Sequence, residues 1–271
     1  MKVKGQSMIY KYETHLHTMQ GSACGRVPGR AYIAKYIDLG YDGIFVTDHF
    51  FHGNCRPSRD LPWQEWVKQY CQGYEDAAEE GYKRGFKVFF GLEAKFELWD
   101  EWLVYGLSKE YMLSHPDMRD WTRKQYLDNV HAAGGCCIQC HPFRQAGYMG
   151  HVAPCLGVDG VELCNSGNRP EWDAMAVRYA HKMLPHVFYS AGSDIHHTDD
   201  RQADQVFGVS FDHPLSSALD YARAVRENAP HGLLISPGRD TPIGDNIPLE
   251  MPMTVLDQDC LPTKLGVGDI F

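Results

Sequence analysis

The stretch MIYKYETHLHT, residues 8–18, joins a predicted strand directly to two histidines that are separated by one leucine. Side chains of an extended segment alternate with a period of two, so His15 and His17 point to one side while Leu16 points to the other. The two imidazoles can therefore bind one metal ion while Leu16 packs inward. The stretch predicts a metal-binding motif at the end of the first strand.

Short apolar strands recur along the chain and alternate with helices. Strands are predicted at 8–13, 43–47, 87–92, 102–105, 136–140, 160–163, 187–190 and 205–209. Helices are predicted at about 28–40, 62–85, 117–133, 170–182 and 214–227. This alternation predicts a mostly parallel α/β sheet, either open and doubly wound or closed into a barrel. Neither G-x-G-x-x-G after the first strand nor G-x-x-x-x-G-K-[ST] occurs, which disfavours the nucleotide-binding doubly wound folds.

Polar side chains follow the later strands just as the two histidines follow the first. These residues are Asp48, His49, Glu93, His141, Glu162, Asn165, Asp194, His196 and His197. Asp194 and His196 are spaced like His15 and His17, one residue apart. Because the C-terminal ends of parallel strands lie on one face, we expect these groups to converge, as they do in sites that bind two or three metal ions.

Each of these residues also has an ordinary structural interpretation. A single histidine after a strand is more often an incidental polar residue than a metal ligand. Asp48 can cap the segment that follows it, and Glu93 can be a simple ion-pair partner. Their joint placement at successive strand ends is what favours a metal site.

The segment GCCIQCHPF, residues 135–143, contains C-x-x-C-H, a spacing found in haem-attachment sites and in thiol redox pairs. The nine cysteines of the chain are scattered without a regular framework, and no export signal accompanies them. Residues 136–140 instead have the pattern of a short buried strand, in which small thiols are ordinary core residues. His141 therefore requires a different explanation.

Composition is that of one globular domain spanning residues 1–271, with 44% hydrophobic and 23% charged residues. The net charge of −9 and the absence of any Lys/Arg-rich run disfavour nucleic acid and anionic membranes as partners. The N-terminus lacks the apolar stretch of a signal peptide, and no window of eighteen apolar residues occurs, so we predict a cytoplasmic protein without a membrane span. Residues from about 240 to 271, rich in Pro, Gly and Asp, are predicted to be irregular.

Five motifs in order resemble the PHP (polymerase and histidinol phosphatase) family of metal-dependent phosphoesterases. They are HLHT at 15–18, TDH at 47–49, GLE at 91–93, CHP at 140–142 and GSDIHH at 192–197. The similarity spans about residues 9–210. It implies a distorted seven-stranded (β/α) barrel of the PHP type, with up to three metal ions at the C-terminal rim of the strands.

The resemblance also implies a set of ligands. The first metal would be bound by His15, His17, Glu93 and Asp194, with Glu93 bridging to another ion. The second metal would be bound by His49 and His196, and the third by His141 together with Glu93. Such imidazole and carboxylate ligands suit Zn²⁺, Mn²⁺ and Fe²⁺ almost equally.

Two positions depart from the family pattern. Family members commonly carry an Asp or a His shortly after H-x-H, whereas here the stretch is MQGSAC, residues 19–24, so that Cys24 substitutes for this ligand or the position is vacant. Many members supply a further histidine for the third metal, but the strand at 102–106 has none, and His115 lies farther along. Both two and three bound ions remain open.

The resemblance implies attack of a metal-activated water on a phosphoryl group, which needs positive charge near the non-bridging oxygens. Arg144 is the first candidate for that charge, because an arginine can bind phosphate in a bidentate manner. The other candidates are Arg26, Lys95, Arg169 and Arg201. His197 or His52 is the candidate for protonating the leaving alkoxide. An exposed, solvated role is the alternative for each of these residues.

We therefore predict a phosphoesterase acting on a small phosphomonoester, with L-histidinol phosphate as the first named candidate. Metal-assisted C–N hydrolysis, as in amidohydrolase-type barrels, is the alternative reaction, although no strand ends in a lysine placed to bridge two metals. A degenerate metal-binding module without activity is the third hypothesis. The sequence does not predict the oligomeric state.

Overall fold

A computed structural model describes residues 9–198, 205–237, 239, 244 and 246–271. In this part of the chain nine strands form one sheet, in the order β7-β6-β5-β4-β3-β2-β1-β8-β9. The strands are β1 Tyr10–Glu13, β2 Gly43–Val46, β3 Lys87–Lys95, β4 Glu101–Tyr105, β5 Cys136–Cys140, β6 Gly160–Asn165, β7 Phe188–Gly192, β8 Gly208–Phe211 and β9 Gly232–Leu234.

The sheet curls until its two halves meet at one rim. Strands β1 to β3 are parallel, as are β5 to β7, and β4 runs antiparallel to both of its neighbours. Just past the ends of β1 and β7, Leu16 pairs with Ile195 in a parallel bridge, and the amide of His17 donates to the carbonyl of Ile195 at 2.9 Å. The amide of Asp194 likewise donates to the carbonyl of His15 at 2.8 Å. The result is a nearly closed α/β barrel.

The expected count of seven strands is wrong, because nine are present in the described residues. Strand β8 pairs antiparallel with β1 over Tyr10–Tyr12, and β9 pairs antiparallel with β8, so these two strands extend the sheet beyond β1. The approach is close at Gly208, which has φ +136° and where a Cβ would lie 2.0 Å from the carbonyl oxygen of Tyr12. Glycine is required at this position.

Helices connect the strands and cover the sheet. They are α1 Ala31–Asp38, α2 Trp63–Tyr70, α3 Gln72–Arg84, α4 Lys109–Ser114, α5 Arg123–Ala132, α6 Pro170–Met183, α7 Ala218–Arg226 and α8 Val267–Ile270, with a 3₁₀ turn at Pro116–Asp120. The long helix expected at 62–85 is divided at Cys71 into α2 and α3. The helix expected from 117 begins at Arg123, because Thr122 and Gln125 form a capping box there. None of the helices in the described residues is long and apolar enough to cross a bilayer.

The core lies between the sheet and its helices, and four of the strands that reach the closed rim are buried throughout. Every residue of β2, β4, β5 and β6 is buried. Of the segment predicted to be irregular, residues 240–243 and 245 lie outside the described residues. The described remainder is largely irregular, yet Val255, Leu256 and Ile270 are buried in the core, and Leu256 bridges Cys155. This segment therefore covers the loop that follows β5.

Candidate metal centre

The seven side chains predicted to bind metal all lie at the closed rim, within overlapping groups whose ligand atoms are no more than 4.8 Å apart. These groups are His15, Glu93, Cys140 and His141; His17, His49 and His196; His15, His17 and Asp194; and His49, Glu93 and Glu101. The cluster joins residues from the ends of β1, β2, β5 and β7 with residues inside β3 and β4. Closure of the sheet is what brings them together.

The H-x-H motif has the geometry that its spacing predicts. The side chain of Leu16 is fully buried in the core together with that of Ile195, with which Leu16 forms a backbone bridge. The side chains of both histidines point into the cluster. The Nε2 atoms of His15 and His17 are 3.2 Å apart, and Asp194 Oδ1 lies 2.9 Å from Nε2 of His17 and 3.5 Å from Nε2 of His15. Three ligand atoms thus converge on one point.

Glu93 lies at the centre of the cluster. Its Oε1 is 3.1 Å from Nε2 of His141 and 3.3 Å from Nε2 of His15, while its Oε2 is 3.6 Å from Nε2 of His17 and contacts Nδ1 of His49. The two carboxylate oxygens therefore face different histidines. A carboxylate placed between two sets of histidines in this way would be able to hold an ion on each side.

A third set of imidazoles stacks beside these residues. The ring of His17 lies 4.3 Å from that of His49 and 4.6 Å from that of His196, measured between ring centroids. The Cys24 thiol interacts with both His49 and His196. Burial acts to raise the pKa of Cys24, but hydrogen bonds to His196 and then to His49 outweigh it and lower that pKa to about 6.

Sequence reasoning missed Glu101 and Cys140. Glu101 is the first residue of β4, and its Oε2 lies 3.7 Å from Nε2 of His141. Polar rim residues are expected after parallel strands, whereas an antiparallel strand places its first residue at this rim. The Cys140 thiol donates to Oε1 of Glu93 at 3.2 Å and to the carbonyl oxygen of Glu101 at 3.0 Å.

Buried polar residues orient the histidines from behind. Glu162 accepts from Nδ1 of His15 at 3.1 Å through one oxygen and from the amide of His141 at 2.9 Å through the other. Ser22 Oγ lies 3.2 Å from Nδ1 of His17 and donates to Asp48 at 2.7 Å. Asp48 therefore supports the centre through Ser22, in the way that outer-sphere partners fix the orientation of ligands.

Electrostatics place negative charge at the centre of the cluster. Burial acts to raise the pKa of Glu93, but the imidazoles of His49 and His15 outweigh it and hold that pKa well below its usual range. Burial likewise acts to raise the pKa of Asp194, and the charge of His15 outweighs it and lowers that pKa. Burial lowers the pKa of His17 to about 3, which keeps this imidazole neutral. Anionic carboxylates and a neutral imidazole are the forms that bind a metal.

Two buried atoms of the cluster provide a further reason to expect divalent metal ions there. Nδ1 of His49 and Oε2 of Glu93 are buried and contact each other, and neither has any further hydrogen-bond partner among the described residues. A cation bound by both atoms would give each of them a second partner, and the nitrogen and carboxylate set suits Zn²⁺, Mn²⁺ or Fe²⁺.

Arg144, expected to bind phosphate, makes its hydrogen bonds to the protein. Its guanidinium donates to Asp194 at 2.6 Å and to Asn165 and Asn168 at 2.8 Å each, and the side chain is buried. It therefore fixes the carboxylate of Asp194. Lys95, a candidate from the same set, lines the cavity beside the cluster and lies 4.4 Å above the ring of Trp99.

The remaining candidates lie outside the cluster. Arg26 and Arg169 are exposed, and Arg169 stacks over Trp172. Arg201 lies outside the described residues. The half-buried His197 follows His196 directly, while the exposed His52 lines a neighbouring cavity that also includes Lys95. His115 packs against Tyr111 at a ring distance of 3.9 Å and does not join the ligand groups.

A cavity of about 450 Å³ opens directly onto the cluster. His49, Asp194 and His196 form its floor, and two aromatic residues, Trp99 and Tyr148, stand on its wall. Their side chains are 38% and 59% exposed. The volume suits a small ligand that reaches the metal site with one end.

No protein-family model and no curated protein matches the sequence. Its fold is similar to that of a two-domain protein from Bacteroides vulgatus ATCC 8482 that contains a predicted PHP-like metal-dependent phosphoesterase. The TM-score is 0.58 at 15% identity, over 84% of this chain and 65% of that one. The chain has a PHP-like fold. It spans less than two thirds of the length of that two-domain protein.

Two further structures resemble this PHP-like fold. PsfC from Pseudomonas syringae PB-5123 has a TM-score of 0.51 at 18% identity, over 86% of this chain and 93% of that one. Endonuclease Q, in complex with a 27-mer duplex that carries an abasic lesion, has a TM-score of 0.48 at 11% identity, over 83% of this chain and 58% of that one. That last similarity is too low to carry an argument about nucleic acid, and the expectation that this chain does not bind it stays a prediction.

Proposed function

We propose that this protein is a metal-dependent phosphoesterase that hydrolyses a small phosphomonoester. The observation that carries the proposal is the convergence of all seven predicted ligands in one cluster, three of which, His49, Asp194 and His196, line a cavity of about 450 Å³. The PHP-like fold supports the same reaction class. L-Histidinol phosphate is the first substrate to assay, since its size suits the cavity.

Divalent ions in such a site supply a hydroxide nucleophile at neutral pH and offset the charge of the phosphoryl group. The residues of the chain hold that site in position. Glu93 presents one oxygen to His141 and the other to His49, and Arg144 fixes the carboxylate of Asp194. The positive charge of Arg144 borders the cavity while its N–H groups are bonded to the protein.

Lys95 is the cation that we assign to the non-bridging phosphate oxygens. Its ammonium group lies 3.9 Å from Oε1 of Glu101 and above the ring of Trp99, on the wall of the cavity. His197, next to the ligand His196, is the group that we assign to proton donation to the leaving alkoxide. Lys95 lines the cavity, and His197 is the next residue after a side chain that lines it.

A metal-assisted C–N hydrolase is the second candidate function. Amidohydrolase-type sites often bridge two metals with a modified lysine, whereas here the carboxylate of Glu93 lies between His141 and His49. Lys95 instead contacts Glu101 and Trp99. Glu93, whose two oxygens face His141 and His49, is better placed than Lys95 to bridge two metal ions.

The test is a comparison of substrates on one purified preparation. An aryl phosphomonoester, histidinol phosphate, an aryl phosphodiester and an acyl anilide are assayed with Mn²⁺, Zn²⁺ or Fe²⁺ and after chelation. The proposal predicts metal-dependent turnover of a monoester. Turnover of the anilide alone would favour C–N hydrolysis, and preference for the diester would contradict the monoester substrate. Metal binding without any turnover would favour the binding module.

A further inference from the structure

Cys24 occupies the place in the cluster that the sequence left open. Its thiol is half-buried, lines the cavity above the metal centre and interacts with the imidazoles of both His49 and His196. The ring nitrogens of His49, His196 and His17 lie within 4.8 Å of one another. A sulfur atom thus faces a group of imidazoles that already has the spacing of a metal site.

The backbone on both sides of Cys24 is fixed. The amide of Ala23 donates to the carbonyl of Asn54 at 2.8 Å, and the amide of Arg26 donates to the carbonyl of His196 at 2.8 Å. Gly25 allows this path, because a Cβ at that position would lie 2.2 Å from the carbonyl oxygen of Thr18. The loop therefore holds the thiol against the two histidines.

A second observation points to a ligand at this place. Oε2 of Glu93 is buried, on a side chain that is only 1% exposed, and it contacts Nδ1 of His49. Neither atom has any further hydrogen-bond partner among the described residues. A cation bound at His49 would have these atoms and the sulfur of Cys24 as ligand atoms. Cys140 differs, because its thiol is already a donor to Glu93 and to the carbonyl of Glu101.

We propose that Cys24 is a thiolate ligand, together with His49 and His196, of one of the metal ions in this centre. On coordination the thiol proton passes to solvent and the sulfur–metal bond takes its place. Because thiolate is a soft ligand, it biases this position toward Zn²⁺ and against Mn²⁺ and Mg²⁺. The inference rests on the proposed function only for the presence of a metal centre.

The experiment is a titration of the metal-free protein with Co²⁺ alone, followed by near-ultraviolet absorbance, where a thiolate bound to cobalt gives a charge-transfer band. Wild type is compared with Cys24→Ser and Cys24→Asp. Cys55→Ser is the matched control, since Cys55 is also half-buried and its sulfur donates to the carbonyl groups of Phe51 and Pro57 at 3.7 Å. Far-ultraviolet circular dichroism confirms that each variant is folded.

The proposal predicts the band in wild type and in Cys55→Ser and its loss in both Cys24 variants. Cys24→Asp should still bind cobalt, and its preference for Zn²⁺ over Mn²⁺ should fall on the order of 10-fold or more in a competition assay. A band of unchanged intensity in Cys24→Ser, or no band in cobalt-loaded wild type, would overturn the proposal.

The band is independent of phosphatase turnover, so the two proposals can fail separately. A Cys24-dependent band in a protein that hydrolyses no phosphate ester would support the ligand and contradict the phosphoesterase. Hydrolysis of a phosphate ester by a cobalt-loaded protein that lacks the band would support the phosphoesterase and contradict the ligand. Wild type that binds no cobalt would overturn both.

Discussion

The guanidinium of Arg144 shows how the centre is fixed at the scale of single residues. A planar fork that donates to one carboxylate and two amides holds Asp194 in place. The charge of His15 has the larger effect in lowering the pKa of Asp194, and the charge of Arg144 adds to it. The side chain of Arg144 also borders the cavity.

Arg144→Ala is expected to weaken metal binding by on the order of 10- to 100-fold, because Asp194 loses the group that orients it. Arg144→Lys should fall in between, since an ammonium group cannot reproduce the fork. Metal titration of the purified variants measures the effect, with Arg169→Ala, an exposed arginine near the same rim, as the control. An unchanged metal affinity together with a raised KM would show instead that Arg144 binds the substrate directly.

Glu101 adds a carboxylate to the side of the centre that contains His141. Burial, and then the neighbouring charge of Glu93, raise the pKa of Glu101, which marks a carboxylate that needs a cation nearby. Glu101→Gln should therefore lower the affinity of the most weakly bound ion by roughly 10- to 100-fold. Metal content after dialysis measures this, and Glu97→Gln, an exposed carboxylate paired with Arg123, is the control. Equal metal content in the two variants would remove Glu101 from the centre.

Asp173 gives the fold a predictable dependence on pH. Its Oδ2 is buried without a hydrogen-bond partner, and burial raises the pKa of this carboxyl from 3.8 to about 7. Between these two pH values the unfolded chain loses the proton while the folded chain keeps it, so the wild type loses stability as the pH rises from about 4 to 7. The unfolding free energy of Asp173→Asn minus that of wild type should rise by up to about 4 kcal/mol over that range.

Urea unfolding at several pH values measures this difference. The exposed Asp38→Asn is the control, analysed in the same way. A difference between Asp173→Asn and wild type that stays constant from pH 4 to pH 7 would contradict the account.

At the scale of elements, the direction of β4 explains both what the sequence predicted and what it missed. The sequence predicted β1, β2, β5 and β7 together with the polar residues that follow them, because a buried parallel strand followed by a polar residue is a local pattern. Strand β3 extends to Lys95, so Glu93, which was expected to follow it, lies inside the strand. Strand β4 reverses direction, so its rim residue, Glu101, is the first residue of the strand. The short connection at 96–100 indicates that β4 runs antiparallel to β3, since parallel neighbours need a crossover of roughly a dozen residues or more.

Two glycines with positive φ allow the cost of backbone strain to be compared with the cost of a steric clash. Gly85 ends α3 with φ +67° and has no atom within 4 Å of an added Cβ, so Gly85→Ala should cost only about 1 kcal/mol of unfolding free energy. Gly208, at φ +136°, would place a Cβ 2.0 Å from the Tyr12 carbonyl oxygen. Gly208→Ala should therefore cost roughly 3 kcal/mol or more.

Urea midpoints of the two alanine variants test this difference. Equal losses would show that β8 can move away from β1 without a penalty. The pairing of β8 with β9 was not predicted, because β9 has three residues and helix α7 separates the two strands in the chain.

At the scale of the whole molecule, closure of the sheet converts five dispersed motifs into one site. Residues as far apart as His15 and Asp194 become neighbours through two backbone hydrogen bonds across the rim. The order of the motifs along the chain predicted this convergence. The number of strands and the protein contacts of Arg144 were not predictable, since both depend on the packed structure rather than on local pattern.

The most direct test of the account is the metal content and phosphatase activity of one preparation of wild type and of His15→Ala. The account predicts two or three divalent ions per chain in wild type, hydrolysis of an aryl phosphomonoester that chelation abolishes and metal restores, and loss of both in His15→Ala. A folded wild-type protein that binds no divalent metal, and whose activity no metal stimulates, would contradict it.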